Sequence, residues 1–186
     1  MRRPQQAFTL IELMITIGIL SVVLAIAVPA LSQSVHNVRL TSLISDLTTS
    51  VTYARSEAVK RGRRVVICRA NNARNDCNLS GGNWSSGWLI FVDSAATDAA
   101  APVYAASNLL RISDVPPAGS EIAGRSGATG RGWVRYSSVG TLARAGTNSQ
   151  AFSWDVSLSS AAPERARTVQ IGLAGRVSIC KGTVCE

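Results

Sequence analysis

Ala7-Phe8-Thr9-Leu10-Ile11-Glu12-Leu13-Met14 opens an apolar run that continues to about Leu31 and places one carboxylate, Glu12, inside it. From Phe8 to Leu31 is about 24 residues, roughly 36 Å of helix, enough to span a bilayer. A carboxylate in such a helix is costly unless something pairs with it, so Glu12 is a functional-site candidate by default. Arg2 and Arg3 stand in the leader before the run. An ordinary secretory signal has a shorter apolar core with a small-residue cleavage site after it. Here the small residue, Ala7, precedes the run. A cut after Ala7 would keep the hydrophobic helix and discard only the basic leader, whose arginines stay cytoplasmic while the rest faces outward.

This pattern resembles the class III signal of type IV pilins and type II secretion pseudopilins. The resemblance implies that a prepilin peptidase cuts between Ala7 and Phe8 and that Phe8 becomes N-methylated. It also implies that Glu12 pairs with a neighbour's terminal amine during assembly, and that Pro29 stands where such helices kink. One departure is that the family usually has Gly before the cut. Ala7 is the next smallest residue, and a slower cut is the expected consequence. The implied organisation is a leader over 1–7, a transmembrane and assembly half-helix over 8–31, an amphipathic half over 32–61 and a β-rich globular domain over 62–186.

The chain has 186 residues. Without leader and membrane segment about 150 remain, which suits one domain with a single core. Formal net charge is +8, and loss of Arg2 and Arg3 leaves +6. A basic exported protein meets nucleic acid, anionic lipid or acidic polymers, and charge alone does not choose among them. Only 16% of residues are charged, and Ser, Thr, Asn and Gly supply most of the polarity, a composition that fits a periplasmic or extracellular surface better than a cytosolic one.

The four cysteines form two local pairs in sequence, Cys68 with Cys77 and Cys180 with Cys185. Neither pair has CxxC spacing and His36 is the only histidine, which argues against structural zinc, and no metal or cofactor is expected. An exported chain passes an oxidising compartment, where such pairs become disulfides. Three connectivities are formally open. The two local loops are the expected one: Cys68–Cys77 stapling an Asn-rich hairpin and Cys180–Cys185 fastening the C-terminus, each contributing roughly 2–3 kcal/mol in the chain-entropy model.

Past the membrane segment Leu40, Leu43, Ile44, Leu47, Val51, Ala54 and Ala58 recur at three- and four-residue steps with Thr41, Asp46, Arg55 and Glu57 between them. This predicts the amphipathic second half of a long helix, kinked at Pro29. Gly62 after Lys60-Arg61 is the expected stop. Strand signals follow at Val65–Cys68, Trp88–Val92, Leu109–Ile112, Trp133–Tyr136, Ala151–Leu158, Thr168–Leu173 and Arg176–Cys180. The stretch Gly124 to Gly132 reads as a flexible turn, and Ser94 to Pro102 as a low-complexity loop. The predicted architecture is α+β: a long N-terminal helix packed on antiparallel β-sheet.

Tyr53-Ala54-Arg55-Ser56-Glu57-Ala58, Arg63-Arg64-Val65-Val66-Ile67-Cys68 and Gly87-Trp88-Leu89-Ile90-Phe91-Val92-Asp93 add a narrower resemblance, to the GspH/FimT family. That family holds the H-type minor pseudopilins of type II secretion and the FimT/FimU minor pilins of type IV pili. The resemblance implies a minor pilin anchored in the bacterial inner membrane, with a periplasmic domain that becomes extracellular in the pilus, near its tip. Implied partners are the prepilin peptidase and other minor and major pilins. In the alternative, an H-type pseudopilin, the partners are type II secretion pseudopilins. The paired cysteines favour the pilus branch.

Some members of this family are associated with DNA uptake in natural transformation through a C-terminal Gly-Arg-x-Arg motif. This chain has Gly175-Arg176-Val177-Ser178, so the second arginine is missing, and Lys181 lies nearby without taking its place. The candidate DNA-binding cations are Arg176, Lys181, Arg167, Arg165, Arg135 and Arg131, with Arg144 beside them, and Trp133 and Tyr136 are candidate stacking platforms. The opposing reading makes the arginines a solvated face and the tryptophans core anchors. An enzyme is not expected, because His36 lies at the membrane-proximal end of the helix, away from any triad in the globular domain, and no phosphate-binding loop follows a strand. Asp93 reads as a turn residue closing a strand.

Overall fold

The computed structural model describes residues 9–143, 150–159, 166–182 and 185, apart from the side chains of residues 28–30, 32 and 33. Ala7, Phe8, Arg144 and Arg165, and the side chain of Pro29, therefore lie outside the described residues. The chain divides between Val38 and Arg39 into two compact units.

One helix, α1, is assigned from Leu10 to Arg61. Within the first unit, Leu10–Ala27 has a mean hydropathy of 2.6 and none of it is buried. Leu10, Ile11, Met14, Val22 and Ile26 all face outward. A surface this apolar is stable only when lipid or neighbouring helices cover it.

In the second unit the helical stripe is core. Leu40, Leu43, Ile44, Leu47, Val51, Ala54 and Ala58 are all buried, which is the face the three- and four-residue spacing predicts. Glu57 breaks the pattern: it is buried too, and its carboxylate is met by Arg61 Nε at 2.5 Å, one turn on. The helix ends as expected. Gly62 adopts φ 61° and the Arg63 N–H donates to the Ala58 carbonyl at 3.2 Å, closing the last turn.

Among the described residues nine strands follow, in two antiparallel sheets. They are β1 (Val65–Arg69), β2 (Trp88–Val92), β3 (Leu109–Ile112), β4 (Ser120–Ser126), β5 (Thr129–Gly130), β6 (Trp133–Tyr136), β7 (Phe152–Leu158), β8 (Arg167–Ile171) and β9 (Val177–Lys181). The first sheet has the order β3-β2-β1-β6 and the second β5-β4-β7-β8-β9. Strand alternation sends Val65, Ile67, Trp88, Ile90, Val134 and Tyr136 of the first sheet and Ile122, Trp154, Val156, Val169 and Ile171 of the second into one core with the α1 stripe. The Trp88 indole N–H donates to Ser50 Oγ on α1 at 2.9 Å, tying helix to sheet by a buried polar contact. The other face of the first sheet carries Val66, Cys68, Leu89 and Phe91 under Cys77, Leu79, Tyr104 and Leu109. The Cys68–Cys77 disulfide thus clamps its own hairpin over that face.

The structure corrects the reading of Gly124 to Gly132. Gly124 lies in β4, and β4 turns into β5 with Arg125 opposite Gly130 and Ser126 opposite Thr129. Glycine stands at 124 for a steric reason: a Cβ there would collide with the indole of Trp84. Trp84 is fully buried, edge-on to Trp154 at 5.3 Å between ring centroids, and its N–H donates to the Arg131 carbonyl at 2.9 Å.

Candidate functional site

Thr9 precedes the first residue of α1 and Glu12 sits three residues on, the spacing of a capping box. The structure forms it in both directions. The Thr9 N–H and hydroxyl donate to Glu12 Oε2 at 3.1 and 3.0 Å, and the Glu12 N–H donates to Thr9 Oγ1 at 3.3 Å. The carboxylate is therefore folded back on the positive end of its own helix, which stabilises a negative charge there. It remains at the surface of the chain. Thr9 is the partner that the sequence reading of Glu12 missed, although Thr-x-x-Glu ahead of an apolar run is its signal.

Among the described residues the candidate DNA-binding cations divide between the interior, the Trp133 ring and the β8–β9 hairpin. Arg135 is buried, its side chain fully enclosed. Its Nη2 lies 2.6 Å from Asp93 Oδ2, and its guanidinium donates to the carbonyls of Asp98 at 2.6 Å and Ala100 at 3.0 Å. Asp93 in turn accepts the Ala95 and Val103 N–H groups, each at 3.0 Å. Arg135 is thus the internal counter-ion of the Ser94–Pro102 loop and presents nothing to a phosphate, and Asp93 is half of a buried pair, not a plain turn residue. Burial lowers the Arg135 guanidinium from its ordinary range while Asp93 opposes that shift. Tyr136 is likewise buried in the core, with its hydroxyl 3.4 Å from the Gly175 carbonyl, so it offers no ring to a base.

Trp133 is on β6, in the other sheet from β8 and β9, and Arg131 stands in the link from β5 to β6. The Arg131 guanidinium stacks 4.0 Å from the half-buried Trp133 ring, and that of Arg135 lies 5.1 Å from it. Desolvation, then repulsion from Arg135, lowers the Arg131 guanidinium. The other three tryptophans, Trp84, Trp88 and Trp154, are core anchors.

Arg167, Arg176 and Lys181 share the β8–β9 hairpin. Arg167 and Lys181 are opposite one another at its open end, and Arg176 stands at its turn. Side chains alternate along a strand, so Ser178 and Lys181, three residues apart, point to opposite faces. Lys181 therefore cannot stand in for an arginine at position 178. Gly175 has its own structural reason: at φ 77° it packs on Gly140, whose carbonyl a Cβ would strike. Its turn is pinned by Arg55 Nη2, which donates to the Ala174 carbonyl at 3.2 Å. The Cys180–Cys185 disulfide closes the other end. There the Gly182 carbonyl accepts the Thr168 hydroxyl at 2.7 Å, beside an Arg125–Asp155 ion pair at 2.7 Å.

Two family models match. The one described as Type II transport protein GspH covers residues 43–175, and the one described as a prokaryotic N-terminal methylation motif covers residues 2–28. No curated protein sequence matches the chain. Among solved structures, the Pseudomonas aeruginosa (strain PAO1) type IV minor pilin FimU shares the fold in two crystal forms. In space group P21 it is 23% identical with a TM-score of 0.52, covering 75% of this chain and 87% of that one. In space group P65 it is 22% identical with a TM-score of 0.50, covering 75% and 90%. With an N-terminal methylation motif on its apolar helix and a GspH match over most of the remainder, the chain belongs to the GspH/FimT-like family of minor type IV pilins and pseudopilins, membrane-anchored by a single span.

Proposed function

We propose that this chain is a minor type IV pilin. It is cut between Ala7 and Phe8 by the prepilin peptidase, N-methylated at Phe8, and drawn from the inner membrane into a pilus, where it primes assembly with other minor pilins near the tip. The observation that carries this reading is Glu12, a lone carboxylate in an exposed apolar helix, capped by Thr9. Once the leader is gone the new terminus lies five positions from Glu12 in sequence, counting Phe8 as the first. In a bundle of such helices the carboxylate of one subunit meets the amine of the next, and each charge escapes unpaired burial. The pairing sets axial register. Glu12→Ala is expected to leave cleavage intact and to leave the subunit in the membrane fraction; recovery of the variant in sheared pili at the wild-type level would refute the assembly role.

The same chemistry serves an H-type pseudopilin of type II secretion, the function that the description of the matched family names. The solved structures that share the fold are two crystal forms of one type IV minor pilin, and this likeness supports the pilus reading. Deletion of the gene is expected to abolish surface piliation and leave protein export unchanged; the reverse pattern selects the pseudopilin.

DNA capture is a second reading, supported by the exposed Arg176 after the buried turn residue Gly175, with Arg167 and Lys181 along the same hairpin. Three phosphate contacts correspond to a salt slope of about −3 in log K against log salt. We expect oligonucleotide binding to follow that slope or a shallower one, to vanish near physiological salt and to respond equally to loss of any of the three. Tight binding at physiological salt that Arg176→Ala alone removes would make this a DNA-capturing pilin.

A further inference from the structure

Among the described residues the strand β9 ends the second sheet, and its outer edge is set up to receive another strand. In the β8–β9 ladder the Gly182 N–H donates to the Ala166 carbonyl and the Gly172 N–H to the Arg176 carbonyl. With Thr168 opposite Cys180 and Gln170 opposite Ser178, residues 176, 178, 180 and 182 turn their backbone groups toward β8. By the same alternation Val177, Ile179 and Lys181 aim both N–H and C=O away from the sheet.

Other sheet margins among the described residues are blunted. β5 has two residues. β3 is short and its register with β2 shifts at Ile90/Phe91. β6 is covered by the following segment, through a bridge between Tyr136 and Leu142 and an Ala143 N–H donated to the Arg135 carbonyl. β9 is five residues long and contains neither proline nor a bulge. Ile179 is 54% exposed at its centre. An edge of this kind is a template for pairing unless it is used.

We propose that β9 is a docking edge for an extended segment of a different protein subunit, added antiparallel, with an apolar residue against Ile179 and acidic residues near both ends. The charge pattern selects this occupant. Residues 166–182 contain Arg167, Arg176 and Lys181 and no acid. Arg176 flanks one end of the edge, and Lys181 and Arg167 the other. A second copy pairing edge to edge would bring two sets of the same three cations to one seam, and like charges facing across strands are destabilising. Nucleic acid would use the cations but neither Ile179 nor the outward amides. The Thr168 hydroxyl bond to the Gly182 carbonyl holds the open end of β9 on the sheet. The inference holds alike for a pilus and a pseudopilus.

The test uses the full-length chain in detergent micelles with a synthetic seven-residue peptide, Asp-Val-Thr-Val-Thr-Val-Asp, and hydrogen exchange of the β9 amides. Peptide is expected to slow exchange at Val177, Ile179 and Lys181. A peptide with Lys in place of Asp should bind about tenfold more weakly, as should the Arg176→Glu/Lys181→Glu variant. Ile179→Pro removes an outward N–H without touching the β8 ladder, so it should abolish protection while thermal unfolding stays within a few degrees. If it unfolds the chain instead, Ile179→Thr, which keeps the amide, must retain protection at reduced affinity. The proposal is overturned if saturating peptide leaves all three amides unprotected. It is equally overturned if they become protected with rising concentration of the chain alone, or if a single-stranded oligonucleotide protects them where the peptide does not.

Discussion

Arg135 shows how far a residue's type can stand from its role. In sequence it is one cation among many in a basic chain, next to Trp133 and an alternating strand. In the fold, register places it opposite Val66, above the buried face of the first sheet, where a guanidinium is tolerated only with a carboxylate and carbonyls around it. Asp93 and the Ser94–Pro102 loop supply them. The partner lies more than forty residues away in sequence, so neither periodicity nor local spacing could reveal the pair. Arg135→Met leaves Asp93 charged and buried without its counter-ion, and the expected loss is about 3–5 kcal/mol by urea denaturation. Arg135→Lys should recover only part of it, because an ammonium lacks the fork that reaches both the carboxylate and the loop carbonyls. An unchanged midpoint for Arg135→Met would show that the pair does not hold the loop. Glu12 is the opposite case: its setting alone marks it as a candidate, and the structure adds its contact with Thr9.

At the scale of elements, strands with β-branched or aromatic runs were legible, and those built from small residues were not. β1, β2, β3 and β6 fall where alternation and composition place them, and β7 to β9 shift by a residue or so at their ends. β4 and β5 were hidden because Ser120–Ser126 has one large apolar residue, Ile122, and a glycine, Gly124, that signals a turn. The glycine that suggested a flexible turn is there because Trp84 packs on the backbone of β4. Gly124→Ala is therefore expected to destabilise the domain by about 1–3 kcal/mol through overpacking, with a changed near-ultraviolet signal from the displaced indole. A melting midpoint and spectrum equal to wild type would mean that Trp84 does not pack there as described. The helix obeys its sequence closely, since its apolar spacing is the core face and Gly62 its cap.

The whole molecule pairs a helix that cannot stand alone in water with a domain that carries its own core. Both halves were legible in kind, the first from its length and lone acid and the second from its strands. The division of the strands into two sheets was not, because sheet order depends on pairings remote in sequence. Among the described residues the cations fall into several separate features. Arg135 serves the interior, Arg131 stacks on Trp133, Arg61 and Arg64 neutralise Glu57 and Asp98, and three cations edge the β8–β9 hairpin. Such a distribution suits a subunit with specific protein contacts better than a polyanion groove, which needs its cations along one track. The most direct test of the assembly account is the mass of the N-terminal peptide of this chain recovered from sheared surface filaments. The account predicts a chain that begins at N-methylated Phe8, followed by Thr9. Filaments that carry the chain with residues 1–7 still attached, or that lack it although the membrane fraction holds the processed form, would contradict it.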